Sequence, residues 1–131
     1  MKLLDTNMIL RFLLNDNEEM NAKVTEIIKS ESVKVTTEVV AEVVYVLSSV
    51  YKLERSIIAD AVIEFLNIPS VYADNYIVIE SGLRKYSEVK LDFVDCLLVA
   101  YHTEQGYEIC TFDKKLIKQI DKTDVAEINE D

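Results

Sequence analysis

Hydrophobic positions in this chain form runs of two kinds, and the two kinds alternate. Residues 2–4 (KLL), 33–36 (VKVT) and 107–111 (YEICT) are brief, apolar and β-prone, which predicts strands, the first and last of them buried. Longer segments between them have helical character: 7–14, 18–30, 37–52, about 54–66, 74–88 and 93–105. Cap residues mark several helix ends. Asp16 or Asn17 suits the start of the second helix, Thr36 or Thr37 the third, and Asp92 the apolar helix that Gly106 then ends. Pro69 breaks the pattern before a short strand near Val71. Asp113 opens a short helix, and 125–128 (VAEI) reads as a last strand before a frayed acidic tail. Short strands separated by helices predict an α/β domain with a largely parallel sheet.

A length of 131 residues fits a single domain spanning 1–131. With 50% hydrophobic and 29% charged residues the composition is that of a folded globule, and 2 Gly and 1 Pro disfavour a turn-dense β-sandwich. Charge changes the picture more. Fourteen basic residues stand against 24 acidic ones, a formal net charge of −10, which argues against a general electrostatic grip on nucleic acid. A nucleic-acid substrate would require a bound cation or a local basic patch. Cys96 and Cys110 lie in apolar stretches and are expected to be small core residues in a reducing cytosol. His102 is the sole histidine, so neither a zinc site nor a histidine-based nuclease is supported. No apolar run reaches the ~18 residues that span a membrane. The N-terminus carries Asp5 and Asp16 and no cleavage-site pattern, so the expected location is the cytoplasm.

Candidate chemistry lies in acids at the ends of elements. Asp5 follows the first strand at once, and Asp113 follows the YEICT strand. In a parallel sheet both would lie at the carboxyl edge, where open α/β sheets bind ligands. Asp95 falls in the first turn of an apolar helix. Glu42 is flanked by Val39, Val40, Val43, Val44 and Val46, with no Lys or Arg between Val35 and Tyr51 to pair with it. Taken singly, Asp5 suits a turn, Asp95 a helix dipole and Asp113 an N-cap. Taken together, four such carboxylates would repel one another unless a divalent cation with oxygen ligands held them.

The blocks LLDTNMILRFLLND (3–16), AEVVYVLSSVYKLER (41–55) and LDFVDCLLVAYHTEQGYEICTFDKKL (91–116), in this order and spacing, resemble the PIN-domain family, and most closely its VapC-type toxins. The resemblance implies a PIN-like (Rossmann-like) three-layer α/β/α sandwich with a mostly parallel central sheet. It implies Mg²⁺- or Mn²⁺-dependent endoribonuclease activity with one or two ions. The acidic quartet falls on Asp5, Glu42, Asp95 and Asp113, with Asp5 and Asp95 as the main direct ligands. Thr6, Asn7 and Thr111 complete the motifs as accessory residues. Thr6 and Asn7 would orient Asp5 or cap the following helix. The resemblance further implies an RNA substrate, a homodimer and a cognate small antitoxin protein.

Spacing separates other polar residues from this set. Asp92, three before Asp95, reads as a helix cap or else an accessory acid. Glu38 is expected to be solvated, Glu80 to be a minor candidate for the pocket and His102 to be a surface or packing residue. Lys114, Lys115 and Lys118, and separately Arg84, Lys85 and Lys90, are either solvated helix faces or contacts for RNA phosphates. Two other functions fit the same residues: a non-toxin PIN nuclease of RNA processing, and a catalytically idle acidic α/β interaction module.

Overall fold

A computed structural model describes residues 1–130, with side chains described through Asp124. The expected fraying of the tail lies outside the described side chains. The elements run β1 (Lys2–Leu3), α1 (Thr6–Leu14), α2 (Glu18–Ser30), β2 (Val33–Val35), α3 (Thr37–Ser49), α4 (Arg55–Leu66), β3 (Val71–Ala73), α5 (Tyr76–Glu88), α6 (Phe93–Gln105) and α7 (Lys114–Glu130). The chain forms two compact units, Met1–Tyr76 and Ile77–Asp131. No helix of the described residues is long and apolar enough to cross a membrane.

The first unit holds the sheet. Its three strands lie in the order β1-β2-β3 and both pairs are parallel, with Lys2 opposite Val33 and Val33 opposite Val71. In β2 the pleat buries Val33 and Val35 and leaves Lys34 to reach Asp74 at 2.8 Å. Helices α1 and α2 occupy the connection from β1 to β2, and α3 and α4 the connection from β2 to β3, as parallel pairing requires. The cap chemistry is local. Asn17 Oδ1 accepts from the Met20 amide at 3.0 Å, and Thr36 Oγ1 from the Val39 amide at 3.4 Å. Helix α1 stops at Asn15, which adopts the left-handed conformation (φ 50°). Asn21 of α2 donates to the Arg11 and Phe12 carbonyls, each at 3.2 Å, and so ties α2 to the last turn of α1. Arg11 grips both Asp16 oxygens at 2.8 Å and the Tyr51 hydroxyl at 3.0 Å, pinning the end of α1 to the segment after α3.

The second unit is helical. In α6, Cys96, Leu97, Val99 and Ala100 are buried, and in α5 Val78, Ile79, Leu83 and Tyr86. Gly82 sets how closely these two helices approach. A Cβ there would meet Leu97 Cδ2 at 3.0 Å and the Leu97 backbone at 3.5 Å. Tyr86 and Phe93 meet edge to face, 6.0 Å between ring centres. His102 ties α6 to the irregular segment beyond it and to α7: its Nδ1 lies 2.8 Å from the Tyr107 carbonyl and its Nε2 2.6 Å from Asp124.

Four expectations fail. Residues 107–111 are irregular rather than a strand, because the chain leaves α6 through left-handed Gly106 (φ 73°) and Tyr107 is tied back to His102 and to the Tyr101 carbonyl. Cys110 is consequently exposed, whereas Cys96 is buried as expected, and both are free thiols. Residues 125–128 continue α7 instead of forming a strand. The β1 strand is exposed at both Lys2 and Leu3, and burial begins at Leu4.

Gly82→Leu should lower stability by about 1–3 kcal/mol, the usual cost of overpacking. Chemical denaturation checks this, and an unchanged midpoint would show that α5 and α6 are not closely seated.

Candidate active site

Three of the four quartet acids sit at helix N-termini. In the first unit Asp5 is the N-cap of α1, and its Oδ1 accepts from the Met8 amide at 2.9 Å. Thr6 and Asn7 therefore do not cap this helix. They are its first two residues, beside Asp5. In the second unit Asp113 caps α7, with Oδ1 accepting from the Lys115 and Leu116 amides at 2.9 and 3.3 Å. Thr111 holds Asp113 from the other side, its Oγ1 accepting from the Asp113 amide at 3.0 Å. Asp113 thus owes its place to a helix start, not to a strand end. Asp95 lies in the first turn of α6 and is half-buried. At each of these places the helix dipole offsets part of the carboxylate charge.

Glu42 differs. It is exposed on α3 while Val40, Val43 and Val44 are buried, so the helix turns it away from the valines that flank it in sequence. Solvent removes the burial cost that singled it out. Glu38, on the same stripe, is exposed as expected. Asp92 occupies the N-cap position of α6 but makes no side-chain cap bond, which leaves its carboxylate uncommitted.

Ion pairing removes some of the remaining acids, while Glu18, Glu26, Glu38, Glu54, Asp60, Glu64, Glu104, Glu108 and Asp121 face no Lys, Arg or His within 4.0 Å among the described residues. Asp16, Glu19, Glu31, Asp74, Glu80, Glu88 and Asp124 each face a Lys, Arg or His within 4.0 Å, and none of Asp5, Glu42, Asp92, Asp95 and Asp113 does among the described residues. Glu80 pairs with Arg84 at 3.2 Å and leaves the candidate set. Within the second unit the unpaired acids act on one another: burial, then the Asp113 charge, then the Asp92 charge push the Asp95 carboxyl above the usual aspartate range. No group of three His, Cys, Asp or Glu among the described residues converges closely enough to cage a metal by itself. The donors available are hard carboxylate oxygens, and Mg²⁺ commonly takes only one or two of these and keeps its waters.

Residues 2–123 match the PIN domain family. The chain belongs to the PIN domain family. A VapC ribonuclease of Aquifex aeolicus (strain VF5) is 32% identical over 125 residues, covering 90% of this chain and 91% of that protein. No solved structure matches significantly. The family match spans both compact units and includes all four acids of the quartet together with Thr6, Asn7, Asp92 and Thr111.

The raised Asp95 carboxyl has a stability consequence. The native state holds that proton more tightly than the unfolded chain, so stability falls as pH rises from the ordinary aspartate range through the raised Asp95 native value. Metal-free Asp95→Asn protein should therefore melt above wild type at neutral pH, and the gap should close on acidification toward the ordinary aspartate range. Thermal melts in EDTA across this range test it; a gap that widens in acid contradicts the assignment.

Proposed function

We propose that this PIN-domain protein is a divalent-metal-dependent endoribonuclease that hydrolyses RNA phosphodiester bonds as the toxin of a toxin–antitoxin pair in the cytoplasm. The observation that carries the reading is the charge around Asp95, where Asp113 and Asp92 act on a half-buried carboxyl that no Lys, Arg or His neutralises among the described residues. An idle module has no use for such a charge, whereas a metal-binding site requires it. Kinship with a VapC ribonuclease over nine-tenths of the chain supports the substrate class.

In this reading residues 1–131 work as one PIN-like domain, and Asp5, Glu42, Asp95 and Asp113 form its acidic set. Asp5 and Asp95 would hold Mg²⁺ or Mn²⁺ directly, and Glu42 and Asp113 would hold its waters or a second ion. A metal in such a site supplies a polarised phosphoryl oxygen and a water of lowered pKa. The chain's own groups orient the ligands. The Met8 amide fixes one oxygen of Asp5 and leaves the other available. The Lys115 and Leu116 amides do the same for Asp113, and Thr111 Oγ1 holds its backbone amide. Thr6 and Asn7 stand beside Asp5 in the first turn and would orient it or a metal-bound water. The partner would be a small antitoxin that presents Arg or Lys to the carboxylates, which competes with the metal and relieves the same repulsion. Tyr45, Val50 and Ile57, exposed on or beside α3 and α4, are consistent with a homodimer.

RNA cleavage should require Mg²⁺ or Mn²⁺ and stop in EDTA. Asp5→Asn, Glu42→Gln and Asp95→Asn should each lower it by at least ~10²-fold, as for loss of a principal catalytic group, and Asp92→Asn should cost little. Full cleavage in EDTA would overturn the metal reading, and an inactive Asp92→Asn beside an active Asp95→Asn would reassign the ligand. Expression of the chain alone should arrest growth, with relief by Asp5→Asn or by a small neighbouring protein. Active, abundant protein without arrest would identify a processing nuclease instead.

A further inference from the structure

The second unit carries a basic groove that the acidic set does not explain. It encloses about 250 Å³ between the segment after α5 and one face of α7, and Lys90, Lys115, Lys118 and Lys122 line it together with Leu91. All four lysines are exposed, and none is paired with a carboxylate among the described residues. A second cavity of the same unit differs, because there Arg84 and Lys85 are taken by Glu80 and Glu88. In a chain of net charge −10, four lysines with no acid among them are the local patch that an anionic ligand needs.

Spacing narrows the ligand. Lys115, Lys118 and Lys122 recur at three and four residues, so they share one side of α7. Seven residues of helix span about 10 Å, roughly three nucleotides of a stacked strand. The track also adjoins the acids in the chain: Leu91 precedes Asp92, and Asp113 caps the helix that bears three of the lysines. Phe112, immediately before Asp113, has a fully exposed ring (104%). A bare aromatic face beside a cationic track is the combination that binds single strands, through stacked bases and neutralised phosphates.

We propose that Lys90, Lys115, Lys118 and Lys122 hold the phosphate backbone of single-stranded RNA, and that Phe112 stacks on one of its bases. The proposal deepens the nuclease reading and rests on it for the identity of the ligand. An acidic peptide would satisfy the lysines equally but has no use for the exposed ring.

The test is direct binding, by anisotropy, of a labelled 2′-O-methyl oligoribonucleotide to the full chain in Mg²⁺ over a range of salt, with the RNA checked intact on a gel. Replacing Lys115, Lys118 and Lys122 together by Ala should weaken binding at least about tenfold and flatten the slope of log K against log salt by about 2, near 0.7 per lost phosphate contact. The three Arg replacements should restore both. Phe112→Ala should weaken binding about fivefold or more with the slope unchanged, because a stacked base contributes no counterion release; Phe112→Tyr should bind like wild type. Lys23→Ala and Lys29→Ala on α2 serve as controls. An alanine triple with the affinity and slope of these controls, an unaltered Phe112→Ala, or a wild type that binds poly-glutamate but not the RNA would each overturn the proposal. Lysine-dependent binding without cleavage supports the groove and removes only the nuclease reading. Cleavage that is indifferent to the lysines removes only the groove.

Discussion

Peptide N–H groups at helix starts are what this protein uses to keep unpaired acid in place. Asp5, Asp95 and Asp113 all stand at such starts. The first and last are fixed by amide hydrogen bonds to one oxygen each. A helix N-terminus offers roughly half a positive charge and open donors, and it neutralises nothing permanently. The acids are therefore held still while they remain anionic and available, which a lysine partner in the same place would prevent.

Elsewhere on the surface some acids meet a cation directly, as in the i,i+4 pairs Glu19–Lys23 and Glu80–Arg84 and the contact of Arg11 with both Asp16 oxygens. Each exposed pair adds little stability.

Helix positions were legible because cap and period agree: Asn17 and Thr36 start helices where the apolar period begins, and Gly106 ends α6 where it stops. The parallel pairing followed from strands separated by helices. The failures share a cause. YEICT and VAEI are short apolar runs whose state depends on what lies beside them, and local composition carries no record of that. Here His102, twenty-two residues from Asp124 and five from Tyr107, commits the segment after α6. Glu42 shows the same limit within a helix, since its flanking valines occupy other faces. Its candidacy rested on those valines and on the family blocks, and the exposed side chain removes the first of these grounds. Among the candidate acids, Asp95 and Asp113 could be placed by their positions relative to helix starts, whereas Asp5 reads from sequence as following a strand, with the cap role falling to Thr6 or Asn7. The raised Asp95 carboxyl was not legible, because it reflects burial and the charge of Asp113, eighteen residues further along the chain, before that of nearby Asp92.

The double duty of Asp5 and Asp113 has an evolutionary consequence. Each carboxylate is a helix cap and, in the proposed function, also a bearer of reactive charge. Asparagine caps a helix as well as aspartate does and carries no charge. Drift from Asp to Asn at either position would thus silence the chemistry while preserving the fold, its surface and whatever that surface binds. A lineage of this protein has a short downhill route from enzyme to inert decoy, and folded abundance in the cell would give no sign that the route had been taken.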